Sequence, residues 1–378
     1  MGYRGPVRVA FVVNNYPPRM GGVENHVGSL ARHLAAEGHD VTVHTLTEGP
    51  TGRSVEDGVV VSRWREAFTI GGLLGFPTPR AALGLWRSVR ALRGSGTTVS
   101  VHTRFFPLTW LGAAAARSAG LPLLHTEHGS DHVASSSPVI SWGSRLVDLT
   151  VGRWALRAAD RVVGVSDEVV AFVRRLAGVE ASVFHNAIEA PPTGVVHAPR
   201  RHLVFVGRLV PGKGWEDFLA AVASSPPDVT AEVLGDGPDL PALRERVGES
   251  GLTERVAVRG RVPVDRVFEA LGGAVLVNPT RLSEGFQTTL IEALAVGARV
   301  VTYPVPGARP LAEQGAPVRV VERGAPGLVA GVNAELGDPG RPWPTEQVAG
   351  WTWPIRAAEF AALVEGVRPR RRRRQSRP

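Results

Sequence analysis

The chain has 378 residues and contains no cysteine. Among its 43 basic side chains Lys213 is the one lysine, leaving 42 arginines, and there are only two methionines and three tyrosines. The lack of cysteine excludes disulfide scaffolds, thiolate zinc sites, iron–sulfur clusters and cysteine nucleophiles, and fits a reducing compartment. Long uncharged apolar runs are also missing. The best stretch, Leu108–Leu124, is broken by Arg117, and Val9–Val13 is too short for a signal-peptide core. A cytoplasmic protein is expected, with the inner face of the cell membrane open to it as a peripheral seat. No Asp-x-Asp occurs, and the first strand candidate is followed by NNYPPRMGG rather than G-x-G-x-x-G, which counts against a dinucleotide-dependent oxidoreductase.

Charge of one sign is missing from most of the chain. Of the net +8, seven charges come from Arg368, Arg370, Arg371, Arg372, Arg373, Arg374 and Arg377, and the body retains about +1. With 43% apolar residues, that body is neither disordered nor a basic nucleic-acid platform. The tail Val367–Pro378, with Val367 its one aliphatic side chain apart from prolines, has too little apolar content to fold and is expected to be disordered by itself. Anionic lipid suits it as a partner, at about 1 kcal/mol per basic residue near the surface.

What is present is an alternation of short β-branched runs with longer helical-period stretches, the pattern of a parallel sheet with crossover helices. Strands are expected at Val7–Val13, Asp40–Leu46, Val59–Arg63, Thr98–Thr103, Pro122–His128, Arg161–Ser166 and Ala181–Phe184. Helices fit Glu24–Glu37, Pro107–Ala119, Trp142–Ala158 and Asp167–Leu176. The proline-rich Ala190–Arg200 reads as a linker, after which the alternation resumes from His202. The economical reading is α/β, with two Rossmann-like doubly wound domains facing a cleft. Their bounds are 1–190 and 201–342 with a linker at 191–200, then a return helix at 343–366 that packs on the first domain and the tail at 367–378. Ligands of such sheets bind beyond the carboxyl ends of strands, where helix N-termini aim amides at anions.

Two segments there carry chemistry. In GRLVPGKGWEDF (Gly207–Phe218), Arg208 and Lys213 flank a glycine-rich turn between a strand and a helix, a metal-free diphosphate site without the Walker order. In NPTRLSEGFQTTLIEALAVGARVV (Asn278–Val301), Glu284 lies in the loop and Glu292 on the following helix, and the amides of Phe286, Gln287 and Thr288 are placed to meet a phosphate. A carboxylate in the loop suits sugar hydroxyls, and one on the helix a ribose diol. His125, His128, His132 and Asp131 offer metal-ligand types, but residues three apart on a strand face opposite sides, so His125 and His128 do not converge.

Together with GGVENHV (Gly21–Val27), TEHGSD (Thr126–Asp131), GVSDEV (Gly164–Val169), HNAIE (His185–Glu189), LGDGPDL (Leu234–Leu240) and VAVRGRV (Val256–Val262), these segments resemble the family 4 glycosyltransferases of the GT-B fold, in order and over nearly the whole chain. The resemblance implies retaining, metal-independent transfer of a hexose-type sugar from a nucleotide sugar to an acceptor hydroxyl, with no cofactor. It implies that Arg208 and Lys213 neutralise the leaving diphosphate, that Glu284 holds donor-sugar hydroxyls, that Glu292 holds the ribose, and that His128 sits by the reacting sugar. Gly22 would let the first-domain loop approach the phosphate, and backbone near Arg259 and Gly260 would meet the base. Gly207, Gly235, Gly285, Phe286, Gln287 and Thr288 complete the donor side, and Asn15, Glu24, Arg104 and Asp131 the acceptor side. A lipid-linked or cell-surface glycan intermediate or a small natural product is the expected acceptor. Ala187, Gln287 and the Pro304–Leu311 segment depart from the family pattern. A sugar-nucleotide epimerase or a non-catalytic nucleotide-sugar-binding protein shares the fold and is the alternative.

Overall fold

A computed structural model of the chain describes residues 5–19, 21–70, 74–132, 138–192, 195, 200–282, 285–337 and 343–369. They form two compact units: the first takes the described residues up to Asn186 and those from Trp353 onward, and the second is Ala187–Thr352.

The strands of the first unit are β1 (Arg8–Val12), β2 (Asp40–Thr47), β3 (Gly52–Glu56), β4 (Val59–Ile70), β5 (Leu74–Pro77), β6 (Thr98–His102), β7 (Leu123–Glu127), β8 (Arg161–Gly164) and β9 (Ser182–Val183). They lie in the order β3-β4-β2-β1-β6-β7-β8-β9, with β5 on β4. All pairs are parallel except β3 and β5, which run antiparallel to β4. Every residue of β6 and β7 is buried, as expected of central strands covered on both faces. Chain order reverses between β1 and β6, so the crevice of this unit opens at their carboxyl ends. The helix Gly22–Ala36 starts there, after the loop that follows β1. The final helix, Trp353–Gly366, packs on the same unit, with Phe360 stacked on Phe11 of β1 at 5.6 Å.

The strands of the second unit are β10 (His202–Val206), β11 (Thr230–Leu234), β12 (Val256–Gly260), β13 (Val275–Asn278), β14 (Arg299–Thr302) and β15 (Val318–Val320). They form an all-parallel sheet ordered β12-β11-β10-β13-β14-β15, the dinucleotide-fold order, with its switch point between β10 and β13. Phe205, Trp215, Phe218, Val233, Tyr303 and Leu328 lie in its core. Both units are therefore doubly wound α/β structures, as the alternation of patterns predicts.

Local differences have local causes. The expected single helix Trp142–Ala158 is a helix Pro138–Val147, a π turn Asp148–Gly152 and a helix Arg153–Ala158; the π turn carries Asp148 inward to Arg104. The hairpin strands β3 and β5 and the length of β4 are absent from the pattern reading, because an exposed edge needs no apolar alternation. The helix Pro79–Ala91 was also missed. Its signals are Thr78, whose side chain caps Ala81 N, a proline at its first position, and a thin stripe of Ala81, Leu85 and Val89.

Candidate functional site

In the first unit the site is built from the ends of β6 and β7 and the start of the helix Gly22–Ala36. Three histidines converge there. His102 Nδ1 lies 3.1 Å from His128 Nε2, the other nitrogen of His102 meets Ser100 Oγ at 3.1 Å, and His26 crosses His128 edge to face at 4.8 Å. His26 Nδ1 meets Asn186 Oδ1 at 2.8 Å, and His26 Nε2 is buried without a partner among the described residues. Burial, and secondarily the charge of His128, holds His26 and His102 well below the ordinary histidine value. Burial lowers His128 to about 4 against the opposing pull of Glu127. The cluster is therefore neutral at pH 7, and one hydrogen bond fixes which nitrogen of His128 is turned inward. Its ligand nitrogens all lie within 4.8 Å of one another, close enough to surround a cation; the His102–His128 hydrogen bond accounts for the proximity of two of the three.

Beneath the cluster the loop Glu127–His132 is held by a buried ion network. Glu127 takes Arg104 Nη1 at 2.9 Å and the amides of Arg104, His128 and Gly129 at 2.9, 3.1 and 2.9 Å. Burial would raise its carboxyl, but the Arg104 charge, the His125 ring and the Gly129 amide overrule that and hold it far below the usual carboxylate range. Asp148 takes Arg104 Nε at 2.8 Å and also His132 Nδ1. Arg104 Nη2 reaches the carbonyl of Asp131, and its guanidinium covers Phe172 at 4.5 Å. Thr103, just before it, has φ of 61°, a left-handed conformation that a β-branched residue seldom takes. That strained residue swings the chain from β6 into the loop and sets Arg104 inward.

The four residues expected on the acceptor side thus lie in different settings. Arg104 is 2% exposed and its donors are spent on carboxylates and a carbonyl, so it positions the loop from below. Asp131 is exposed on that loop, its side chain taking the His132 amide at 2.7 Å. Asn15 accepts from Arg19 Nη1 at 2.9 Å, and buried Glu24 folds back over Gly21 at the helix start. Gly22 opens that helix with free space where a side chain would stand. His125, His128 and His132 turn to three different partners, Glu127, His102 and Asp148, so they share no metal.

In the second unit the glycine-rich turns sit at the carboxyl ends of β10 and β11. Backbone bonds Gly207 N to Leu234 O (3.0 Å), Leu209 N to Asp236 O (2.9 Å) and Gly235 N to Gly260 O (2.8 Å) tie them together. A side chain at Gly235 would collide with the Gly207 carbonyl, and one at Gly214, where φ is 82°, with the Pro279 carbonyl. Lys213 is drawn in, 8% exposed, with Nζ 3.8 Å from where a Gly207 Cβ would be, whereas Arg208 is exposed. The Arg259 side chain turns to Glu232 at 2.9 Å, leaving the backbone of its neighbour Gly260, at φ of 69°, facing the Gly235 turn.

From β13 the chain reaches the helix Thr288–Ala295 through a loop whose Ser283 and Glu284 lie outside the described residues. Gly285 is half-buried, Phe286 is buried and stacks on Trp351 at 5.6 Å, and Gln287 precedes the first helical residue, Thr288. Gln287 is 5% exposed and its Nε2 has no partner among the described residues. Glu292 stands within that helix, and burial pushes its carboxyl up to about 7.

With this geometry in hand, residues 20–190 match the family described as Glycosyltransferase Family 4, and residues 200–336 the one described as Glycosyl transferases group 1. The chain belongs to the family 4 glycosyltransferases. It is 28% identical over 361 residues to the 2-deoxystreptamine N-acetyl-D-glucosaminyltransferase of Streptomyces fradiae, covering 84% of this chain and 82% of that one. It is 27% identical over 413 residues to the GDP-mannose-dependent alpha-(1-6)-phosphatidylinositol monomannoside mannosyltransferase of Mycobacterium tuberculosis, covering 95% and 98%. The crystal structure of HepE from Anabaena in complex with UDP has the same fold, with a TM-score of 0.67 at 18% identity over 94% of this chain and 95% of that one. The two Rossmann-like domains of this glycosyltransferase are accordingly those of the GT-B fold.

Several residues in these sites escape a reading by motif. His102 bears directly on His128 yet lies in an ordinary strand pattern; His26 and Glu127 fall inside quoted segments that assigned them no role, and Glu127 ends β7 with its buried partner Arg104 distant in sequence. A carboxylate and a histidine inside strands that are otherwise apolar were the available signal.

Proposed function

We propose that this glycosyltransferase moves a hexose-type sugar from a nucleoside diphosphate sugar to an acceptor hydroxyl, with retention at the anomeric carbon and without a metal. The observation that carries the reading is Lys213: it is the one lysine of the chain, and it is folded against Gly207 at the switch point of the second sheet. There Lys213 and Arg208 stabilise charge developing on the leaving diphosphate. The amides opening the helix Thr288–Ala295 add further donors. Glu292, raised to about 7, offers a carboxyl that both accepts from and donates to a ribose diol. Glu284 holds sugar hydroxyls. His128, neutral and oriented through His102, donates to or accepts from the reacting sugar without adding charge beside an oxocarbenium-like centre. The leaving phosphate assists deprotonation of the acceptor.

The acceptor we infer is a lipid-linked or cell-surface glycan intermediate or a small natural product; one relative is named for a phosphatidylinositol monomannoside and another for 2-deoxystreptamine. No described helix is long and apolar enough to cross a membrane, and the seat we assign is peripheral, with Arg368–Pro378 at an anionic surface. A thermal-shift panel of UDP, GDP and their sugars tests the donor half. One nucleoside diphosphate raises the melting temperature of the wild type and not that of Lys213→Ala. Absence of stabilisation by every nucleotide overturns the reading, and inversion in the product of the stabilising donor overturns retention.

A further inference from the structure

A cavity outside both sites belongs wholly to the first unit, away from the histidine cluster. It lies between the helix Pro79–Ala91 and strands β2, β3 and β4, with a volume of about 1070 Å³. That is the size of a small-molecule site. Five arginines line it (Arg53, Arg63, Arg65, Arg80 and Arg87), and no acidic residue is among its described lining. Two of the five are committed: Arg63 to Glu56 and the Pro17 carbonyl, and Arg65 to the Glu48 carbonyl. Arg53, Arg80 and Arg87 are exposed and make no hydrogen bond or ion pair among the described residues. Arg80 and Arg87 are two helical turns apart, so they stand on one face of their helix.

With Arg63 paired to Glu56, the three remaining arginines, Arg53, Arg80 and Arg87, leave the cavity an excess of positive charge that an incoming anion would offset. The wall behind them is also specific. The six-membered ring of Trp64 abuts the helix at Gly84, which leaves room for it; a Cβ at that position would sit 2.5 Å from Trp64 Cζ3. The indole N–H points to His44 Nδ1 at 3.4 Å, and the two rings stack at 6.1 Å. Burial, reinforced by the charge of Arg53, lowers His44 to about 4, so it remains a neutral acceptor that fixes the indole. Thr42, Ser62, Thr78 and Ser88 add hydroxyls to the walls.

We propose that this cavity binds a phosphorylated sugar, its phosphate held by the guanidinium groups of Arg53, Arg80 and Arg87 and its ring laid on Trp64. Bidentate arginine contacts suit phosphate, and an aromatic face suits the apolar side of a pyranose. The proposal stands apart from the transferase reading, because the cavity shares no residue with the nucleotide site of the second unit.

Titration calorimetry on the full chain at low ionic strength tests it with a hexose 1-phosphate, inorganic pyrophosphate and the free hexose. The hexose phosphate binds saturably, the hexose does not, and pyrophosphate binds more weakly. Arg80→Gln with Arg87→Gln weakens the hexose phosphate at least about tenfold. Arg53→Gln, on the exposed strand β3, weakens it without touching the core. Trp64→Leu brings the hexose phosphate down to the level of pyrophosphate. Equal affinity in the wild type and the arginine variants overturns the proposal, as does equal affinity for hexose phosphate and pyrophosphate in the wild type. UDP or GDP stabilisation, measured on the same variants, stays as in the wild type and separates this outcome from failure of the donor site.

Discussion

At the scale of single residues, burial decides what the titrating groups of this protein do. Glu292, partly buried on its helix, carries a carboxyl that desolvation raises to about 7. A carboxyl whose folded value is raised above its unfolded one contributes stability at low pH and loses it as pH climbs from about 4.5 to about 7. Glu292→Gln should therefore flatten the fall in melting temperature across that window while weakening nucleotide binding; an unchanged pH profile counts against the raised carboxyl. The histidine cluster works in the opposite sense. His26, His102 and His128 fold neutral, so the unfolded chain takes up protons first, and stability drops as pH falls below about 6.5. Replacing His102 with Asn should lessen that drop and lower kcat more than KM changes, since it frees His128 from its partner. Lys213 is separable from Arg208 by shape: the ammonium beside Gly207 is a compact point charge where a guanidinium is a wide planar fork, and Lys213→Arg should cost kcat about tenfold or more. Full activity in that variant would return the single lysine to codon usage.

At the scale of elements, the loops are held by contacts that the strands alone do not provide. The Glu127–His132 loop rests on Arg104, whose two carboxylate partners come from β7 and from the π turn after Pro138–Val147. Removing one partner of a buried ion pair costs about 3–5 kcal/mol, so Arg104→Ala should lower stability by that order and disorder the loop with it. Urea unfolding of the variant against the wild type measures this, and a change below about 1 kcal/mol would assign the network little weight. The second unit relies on bare backbone. Gly235→Ala pushes a methyl into the Gly207 carbonyl and should both destabilise the unit and abolish nucleotide stabilisation, whereas Gly22→Ala, which meets open space, should fold normally. The segments quoted for the family resemblance fall at these strand ends, which is why the donor loops were legible. The hairpin β3–β4–β5 and the helix Pro79–Ala91 were not, since edge strands and a narrow apolar stripe carry little periodic signal.

At the scale of the molecule, the charge is divided between a near-neutral body and its basic end. Arg370–Pro378 lie outside the described residues, and the membrane role assigned to the tail rests on composition. Sedimentation with anionic vesicles should pull down the full chain and lose it on truncation after Val367 or in high salt; equal sedimentation of both forms removes the tail from membrane binding. The sequence by itself determined the class of fold and the donor loops, because strand period, helix period and glycine-rich turns are local properties that survive in one dimension. It also set where the cations of the second unit stand, next to glycines that only a close backbone approach requires. Tertiary structure alone decided the rest. Which ring nitrogen of His128 turns inward, that Arg104 supports a loop from beneath, and that Arg53, Arg80 and Arg87 line one cavity with Trp64 each depend on residues distant in sequence meeting across a sheet. Burial and pairing are set by those meetings, and no local pattern encodes them.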